Sequence, residues 1–268
     1  MEDRVLSRDG TPIAYRKQGA GPAVVLVGGG LDDGSENVPL GEVLAQWFTV
    51  YNYARRGRAG SGDTLPYALE REIEDLTALI ERAGGTAHLF GASSGGALAL
   101  EAAAAGVPAG RIAVYEAPYS VDEPAIARWR DYVNRVGSAL AGDRRDEALE
   151  LFMSLAGASQ ADIAQARTAP FWPQLRHLAP TLAYDAACLR DGPPPAGLFG
   201  AIRQRVLVIT GEPGLDEHTR ALSAEFFARA ADELMAILPH AQRLTLKGQT
   251  HVGDPEILGD ALRQFFTG

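Results

Sequence analysis

The sequence has little cysteine, an excess of acid over base, and no long apolar run. Cys188 is the single cysteine among 268 residues. That excludes an intrachain disulfide framework and a cysteine-based zinc site. Lysine and arginine number 25 against 34 aspartates and glutamates, a formal net charge of -9 and a pI of about 5.1. This balance argues against nucleic acid and anionic membrane surfaces as partners. No apolar stretch approaches the roughly 20 residues needed to span a bilayer. The start, Met1-Glu2-Asp3-Arg4, lacks the basic-then-apolar pattern of a secretory leader. A soluble cytoplasmic protein with no nucleic-acid or membrane partner is the expectation. There is no internal repeat.

Hydrophobic residues make up 46% of the chain, ordinary for a globular protein. The length permits one large domain or a core carrying an inserted cap. Asp9-Gly10 between short alternating runs at 4–6 and 12–17 reads as a hairpin. Ala23-Val24-Val25-Leu26-Val27 is uninterrupted and apolar, the pattern of a strand covered on both faces. Strands are expected also at 48–53, 87–92, 111–115, 205–211 and 242–246. Helices are expected at 38–47, 69–83, 97–105 and 219–238, with Val107-Pro108 stopping the third of these. A last helix should begin at Asp254-Pro255-Glu256, in N-cap and first-turn order. Between 122 and 198 there is no good strand. Several helical patterns occur there, broken at Pro170, Pro173, Pro180 and Pro193-Pro194-Pro195. The economical reading is a parallel α/β core, 1–120 and 201–268, interrupted by a helical cap at 121–200.

One stretch organises this plan: Ala87-His88-Leu89-Phe90-Gly91-Ala92-Ser93-Ser94-Gly95-Gly96, followed by an Ala-rich helical run. A strand pattern ends in Gly-x-Ser-x-Gly and a helix pattern follows at once, which puts Ser93 on a sharp, strained turn with its hydroxyl exposed. The helix N-terminus aims free N–H groups and a positive dipole end at the same place, where developing negative charge would be stabilised. A serine hydroxyl needs a base. His251, in the loop after the last expected strand, is the histidine that a parallel sheet would bring to the same edge. The alternative for His251 is a loop residue that merely caps the helix at Asp254. His88 reads as a satisfied core or edge residue.

With these partners the chain resembles the α/β-hydrolase superfamily over nearly its whole length. The resemblance implies an α/β-hydrolase fold, a mostly parallel central sheet with an inserted helical cap, and no cofactor or metal. It implies Ser93 as nucleophile and His251 as base. It also implies an oxyanion hole from the backbone N–H groups of Ser94 and of Gly30, the latter in the loop after the early apolar strand. Where the family usually has His-Gly, this chain has Gly28-Gly29. The triple glycine could instead be a plain flexible loop. It is not a dinucleotide fingerprint, because the Gly-x-Gly-x-x-Gly spacing and a ribose-binding acid are not both present.

The acid departs from the family pattern. The usual slot falls near Gly214, which cannot serve, and Asp216 could serve in a longer loop. Some haloalkane dehalogenases carry the acid one strand earlier. Ile112-Ala113-Val114-Tyr115-Glu116-Ala117 resembles that segment, which makes Glu116 the preferred acid and Asp216 the alternative. Glu212, or no acid at all, remains. Dehalogenation itself is not implied, since it uses an Asp nucleophile where this chain has Ser93.

The loop Ala54-Arg55-Arg56-Gly57-Arg58-Ala59-Gly60-Ser61 replaces a family Asp with Ala54 and a Gly with Ala59. Arg55, Arg56 and Arg58 could meet a substrate carboxylate, but a solvated loop is the expectation. Asp32 and Asp33 are expected to form turns. The functional expectation is a serine hydrolase of the carboxylic ester hydrolase class, cleaving an ester or lactone of a small, apolar molecule through an acyl-enzyme. Trp129, Phe152, Phe171 and Trp172 in the cap would suit such a substrate. The alternatives are an enzyme using the same site for acyl transfer, lactone opening or C–C cleavage, and a ligand-binding member without turnover. Oligomeric state is open.

Overall fold

The computed structural model describes residues 3–212 and 222–268. The chain opens with β1 (Asp3–Leu6) and β2 (Pro12–Gln18), an antiparallel hairpin. Its turn closes as the Asp-Gly pair predicts: Asp9 Oδ1 accepts from Thr11 N at 3.0 Å, and Gly10 has φ +82°. β3 (Ala23–Val27), α1 (Val38–Leu44), β4 (Thr49–Tyr53) and α2 (Leu69–Arg82) follow. Then come β5 (Ala87–Ala92), α3 (Ser94–Ala104) and β6 (Ala109–Tyr115). α3 stops three residues before Val107, where Gly106 takes the left-handed conformation at φ +84°; the stop is a glycine rather than Pro108.

Residues 122–200 carry helices and no strand: α4 (Glu123–Ala141), α5 (Arg145–Leu155), α6 (Gln160–Arg167), α7 (Trp172–Leu178), α8 (Leu182–Leu189) and α9 (Ala196–Phe199). Two of the expected breaks are starts instead. Pro173 sits in the first turn of α7, and Pro180 lies in the 3-10 turn that leads into α8. β7 (Val206–Gly211), α10 (Ala224–Ile237), β8 (Ala241–Leu246) and α11 (Pro255–Thr267) complete the chain. α10 is capped by Ser223, which accepts from Phe226 N; the expected start at Thr219 lies outside the described residues. Asp254 caps α11 as its sequence implies, accepting from Glu256 N and Ile257 N.

The strands form one sheet in the order β1-β2-β4-β3-β5-β6-β7-β8, parallel from β4 to β8 and antiparallel at β1 and β2. Period-two alternation sorts β3 between two cores. Val24 and Leu26 face α1 and α11, and Val25 and Val27 face α2, α3 and the helical block. This is the α/β-hydrolase fold that the sequence implies. No helix among the described residues is long and apolar enough to cross a membrane.

Strand and helix approach most closely at the β5–α3 turn. A Cβ on Gly95 would lie 2.3 Å from Val27 O and 2.6 Å from Gly28 O, both backbone atoms. Gly95→Ala must therefore move β3 or α3. It is expected to destabilise the protein by about 1–3 kcal/mol, seen as a lower urea midpoint at unchanged slope. Gly137 in α4 meets nothing within 4 Å. Gly137→Ala should be neutral or stabilising, by up to about 1 kcal/mol.

Candidate active site

Ser93 occupies the turn between β5 and α3 at φ 54° and ψ -127°. A non-glycine residue there stores on the order of 1–3 kcal/mol of strain, which the tightly packed glycines around it hold in place. Its N–H donates to Tyr115 O at 2.9 Å, tying the turn to the end of β6. One residue on, Glu116 also takes a left-handed backbone, φ 48°, with its N–H donating to Ile209 O. The buried Glu116 carboxylate turns toward the last loops of the sheet. Its Oε1 accepts from Gly211 N at 2.8 Å, and its Oε2 lies 2.7 Å from His251 Nδ1.

His251 is held from several sides. Tyr115 Oη donates to Thr250 O, Glu212 N donates to Gln249 O, and Gln249 Oε1 accepts from Asp254 N at 2.6 Å. The imidazole stacks on Phe227, with centroids 4.8 Å apart and planes 11° from parallel. A carboxylate can only accept, so Nδ1 carries the proton and Nε2 keeps a free lone pair. Glu116 and His251 lie 135 residues apart in sequence. Asp216 lies outside the described residues.

Ser93 and His251 line one cavity of about 530 Å³, with no hydrogen bond between them. Gly29, Gly30 and Ser94 line the same cavity. Among the described residues, the N–H groups of Gly30 and Ser94 donate to no atom of the chain. Leu40, Phe90, Trp129, Tyr132, Phe152 and Leu189 make most of the remaining wall apolar. Of the four aromatics between 121 and 200 singled out from the sequence, Trp129 and Phe152 reach the cavity. Phe171 is exposed, and Trp172 is buried elsewhere with its Nε1 donating to Asp146.

Asp32 is a turn-former as expected: its Oδ1 accepts from Gly34 N and Glu36 N. Burial nonetheless pushes its pKa up. Glu36, on the cavity wall, is pushed up by burial and by the neighbouring Asp32 carboxylate. His88 is the satisfied edge residue that its place implies. Its Nδ1 accepts from Arg111 N, and its ring stacks on Phe266. The Cys188 thiol is buried, and that burial pushes its pKa up.

The arginine loop overturns the expectation of a solvated segment. Arg55, Arg56 and Arg58 are at most 1% exposed. Arg56 forks onto Asp75 at 2.7 and 2.8 Å and reaches Asp9. Arg55 forks onto Glu72, both contacts 2.7 Å, and gives its third arm to Asp185 Oδ1 at 2.6 Å. Arg58 Nη2 donates to the same Oδ1 at 2.7 Å, and Ser94 Oγ does so at 2.8 Å. Burial opposes the Arg55 charge, but Glu72 and Asp185 more than restore it and hold its pKa well above the ordinary value. These cations are neutralised inside the protein, so none is free for a substrate carboxylate. Sequence reasoning missed Asp185. The signal was a lone carboxylate inside the apolar segment Leu182-Ala183-Tyr184-Asp185-Ala186-Ala187-Cys188-Leu189.

The chain compares with known proteins as its fold suggests. The sequence profile of the alpha/beta hydrolase family matches residues 24–256. An alpha/beta hydrolase from Sphaerobacter thermophilus DSM 20745 shares 43% identity, with a TM-score of 0.85 over 98% of this chain and 100% of that one. A hydrolase from Pseudomonas aeruginosa PA01 has the same fold at 23% identity, with a TM-score of 0.72 over 100% of this chain and 98% of that one. The uncharacterized hydrolase YraK of Bacillus subtilis (strain 168) is 33% identical over 105 residues, 38% of this chain and 39% of that protein. The chain thus matches about two fifths of the length of that curated relative. A profile match over most of its length and an end-to-end structural match at 43% identity establish that the chain belongs to the alpha/beta hydrolase family of enzymes.

Proposed function

We propose that the chain is a serine hydrolase that cleaves an ester-type bond, a carboxylic ester or a lactone, in a small and largely apolar molecule. The observation that carries this reading is the 2.7 Å contact of Glu116 Oε2 with His251 Nδ1, made at the wall of the cavity that Ser93 also lines. With Nδ1 committed to Glu116, Nε2 is the base that takes the proton from Ser93 Oγ as it attacks the substrate carbonyl. Glu116 holds the ring in that tautomer and stabilises the imidazolium that forms. The tetrahedral oxyanion is received by the N–H groups of Gly30 and Ser94. His251 then protonates the leaving alcohol, and water repeats the sequence to release the acid. The helical block at 121–200 acts as a cap over the cavity and supplies Trp129, Tyr132, Phe152 and Leu189 to its wall. A cavity of about 530 Å³ suits a substrate of drug-like size.

A fluorophosphonate probe tests the reading. It should add one equivalent of phosphonate to the intact protein, and peptide mass mapping should place the adduct on Ser93. A panel of p-nitrophenyl esters of graded chain length, run beside lactones, would then define the acyl preference. Absence of an adduct on Ser93, together with no hydrolysis across the panel, would remove the assignment.

A further inference from the structure

The oxyanion donors named above stand on backbone with no obvious brace. Gly28 has no side chain, and a Cβ there would meet Asp32 Oδ2 at 2.1 Å. Nothing at position 28 can therefore reach back to hold the loop. The contacts that do hold it come from the arginine loop and from the helical block. Arg58 Nη1 donates to Gly29 O and, at 3.1 Å, to Asp32 O. Arg55 Nη1 lies 3.4 Å from Gly28 O. Gly29 C=O and Gly30 N–H belong to one trans peptide, so they point in opposite directions. A guanidinium on the carbonyl therefore sits on the opposite side of the peptide from the N–H of Gly30, a residue that lines the cavity. Besides locking the plane, a charge-assisted bond to that oxygen polarises the peptide and makes the N–H a stronger donor.

The second donor is tied to the same point. Ser94 Oγ donates to Asp185 Oδ1, the atom that also receives Arg55 and Arg58. One carboxylate oxygen on α8 thus gathers three donors. Through them it links both sides of the site, the Gly29–Gly30 peptide by way of Arg58 and Ser94 directly. Asp185 Oδ2 is buried with no hydrogen-bond partner among the described residues, so the carboxylate is committed to this junction through Oδ1 alone.

We infer that Arg58 and the cap-borne Asp185 are positioning residues for the oxyanion hole, setting the direction and strength of the Gly30 and Ser94 donors. The inference rests on the serine-hydrolase reading. It makes the cap a structural part of transition-state binding as well as a substrate wall. A purely mechanical tie between cap and core would affect stability but not the ratio of transition-state to ground-state binding.

The test uses a matched pair of substitutions in one loop. Arg58→Lys keeps the charge but loses the planar fork that spans Gly29 O and Asp185. Arg56→Lys makes the same change at a buried arginine that, among the described residues, serves only Asp75, Asp9 and the Arg71 carbonyl. The readouts are kcat and KM on the p-nitrophenyl ester best cleaved by the parent, Tm, and Ki for an alkyl trifluoromethyl ketone of matching length. That ketone forms a hemiketal on serine and places an oxyanion in the hole. For Arg58→Lys we expect kcat to fall about 10- to 100-fold, Ki to rise by the same factor and KM to stay within about twofold, by the scale of a misplaced or lost oxyanion donor. Arg56→Lys should lower Tm and leave kcat and Ki at parent values. If both variants lose Tm and neither changes kcat or Ki, the inference is overturned. Should Arg58→Lys fail to fold, Ser94→Ala decides. It removes only the hydroxyl that meets Asp185 and should still lower kcat and raise Ki together, and unchanged values would overturn the inference. Failure of the underlying reading looks different, because Ser93→Ala would then hydrolyse the ester as fast as the parent.

Discussion

Ser93→Ala is expected to lower kcat on any ester the parent cleaves by about 10⁵- to 10⁶-fold, by analogy with removal of a protease serine, equivalent to roughly 7–8 kcal/mol. The Tm should stay close to that of the parent. Ser93 Oγ makes no hydrogen bond to any described residue, so its loss leaves no partner unpaired. The strained backbone at φ 54° is held by the Ser93 N–H bond to Tyr115 O and by the Gly91–Gly95 contact, both independent of the hydroxyl. A steady-state assay with an active-site titration of the parent measures the effect. Undiminished hydrolysis by the alanine variant would end the serine-hydrolase reading.

Glu116→Gln should have the next largest effect, about 10⁴-fold in kcat by analogy with the aspartate-to-asparagine change in a serine protease triad, or roughly 5 kcal/mol. The geometry dictates which way the amide sits. Gly211 N–H needs an acceptor at 2.8 Å, so the glutamine carbonyl oxygen must take the Oε1 position. Its NH₂ then faces His251 Nδ1, where the carboxylate had accepted. To accept from that NH₂, Nδ1 must give up its proton to Nε2, and Nε2 can no longer take the proton from Ser93. Asp216→Asn, at the alternative acid, should stay within about tenfold of the parent. Comparing kcat for the two amide variants decides between the acids, and the reverse ranking would move the role to Asp216.

The contrast between these two carboxylates shows what could be read along the chain. The strand-turn-helix around Ser93 was legible because all its determinants are local. An apolar strand runs into two glycines spaced for close approach, and an Ala-rich helix follows. The final helix was legible for the same reason, with Asp254 and Pro255 at its start. The buried strands were legible because a continuous apolar run such as 23–27 has no other place to go than a sheet covered on both faces.

The arginine loop was misread for the opposite reason. Three arginines among glycines look solvated, because nothing adjacent can neutralise them. Their partners lie on α2, at Glu72 and Asp75, and 127–130 residues away at Asp185 on α8. No local pattern encodes that pairing, yet without it three buried charges could not persist in the fold.

The sequence by itself determined the family fold, the place of the serine turn and the strand ends at which chemistry could gather, since these follow from periodicity and turn chemistry within a dozen residues. Tertiary structure brought Glu116 to His251, decided which of the aromatics of 121–200 reach the cavity, and made Arg55, Arg58, Ser94 and Asp185 converge behind the Gly29–Gly30 peptide. Those outcomes depend on how strand ends and helices from opposite parts of the chain are superposed at one sheet edge. The interactions concerned act over about 3 Å, whereas the groups that make them are scores of residues apart in sequence.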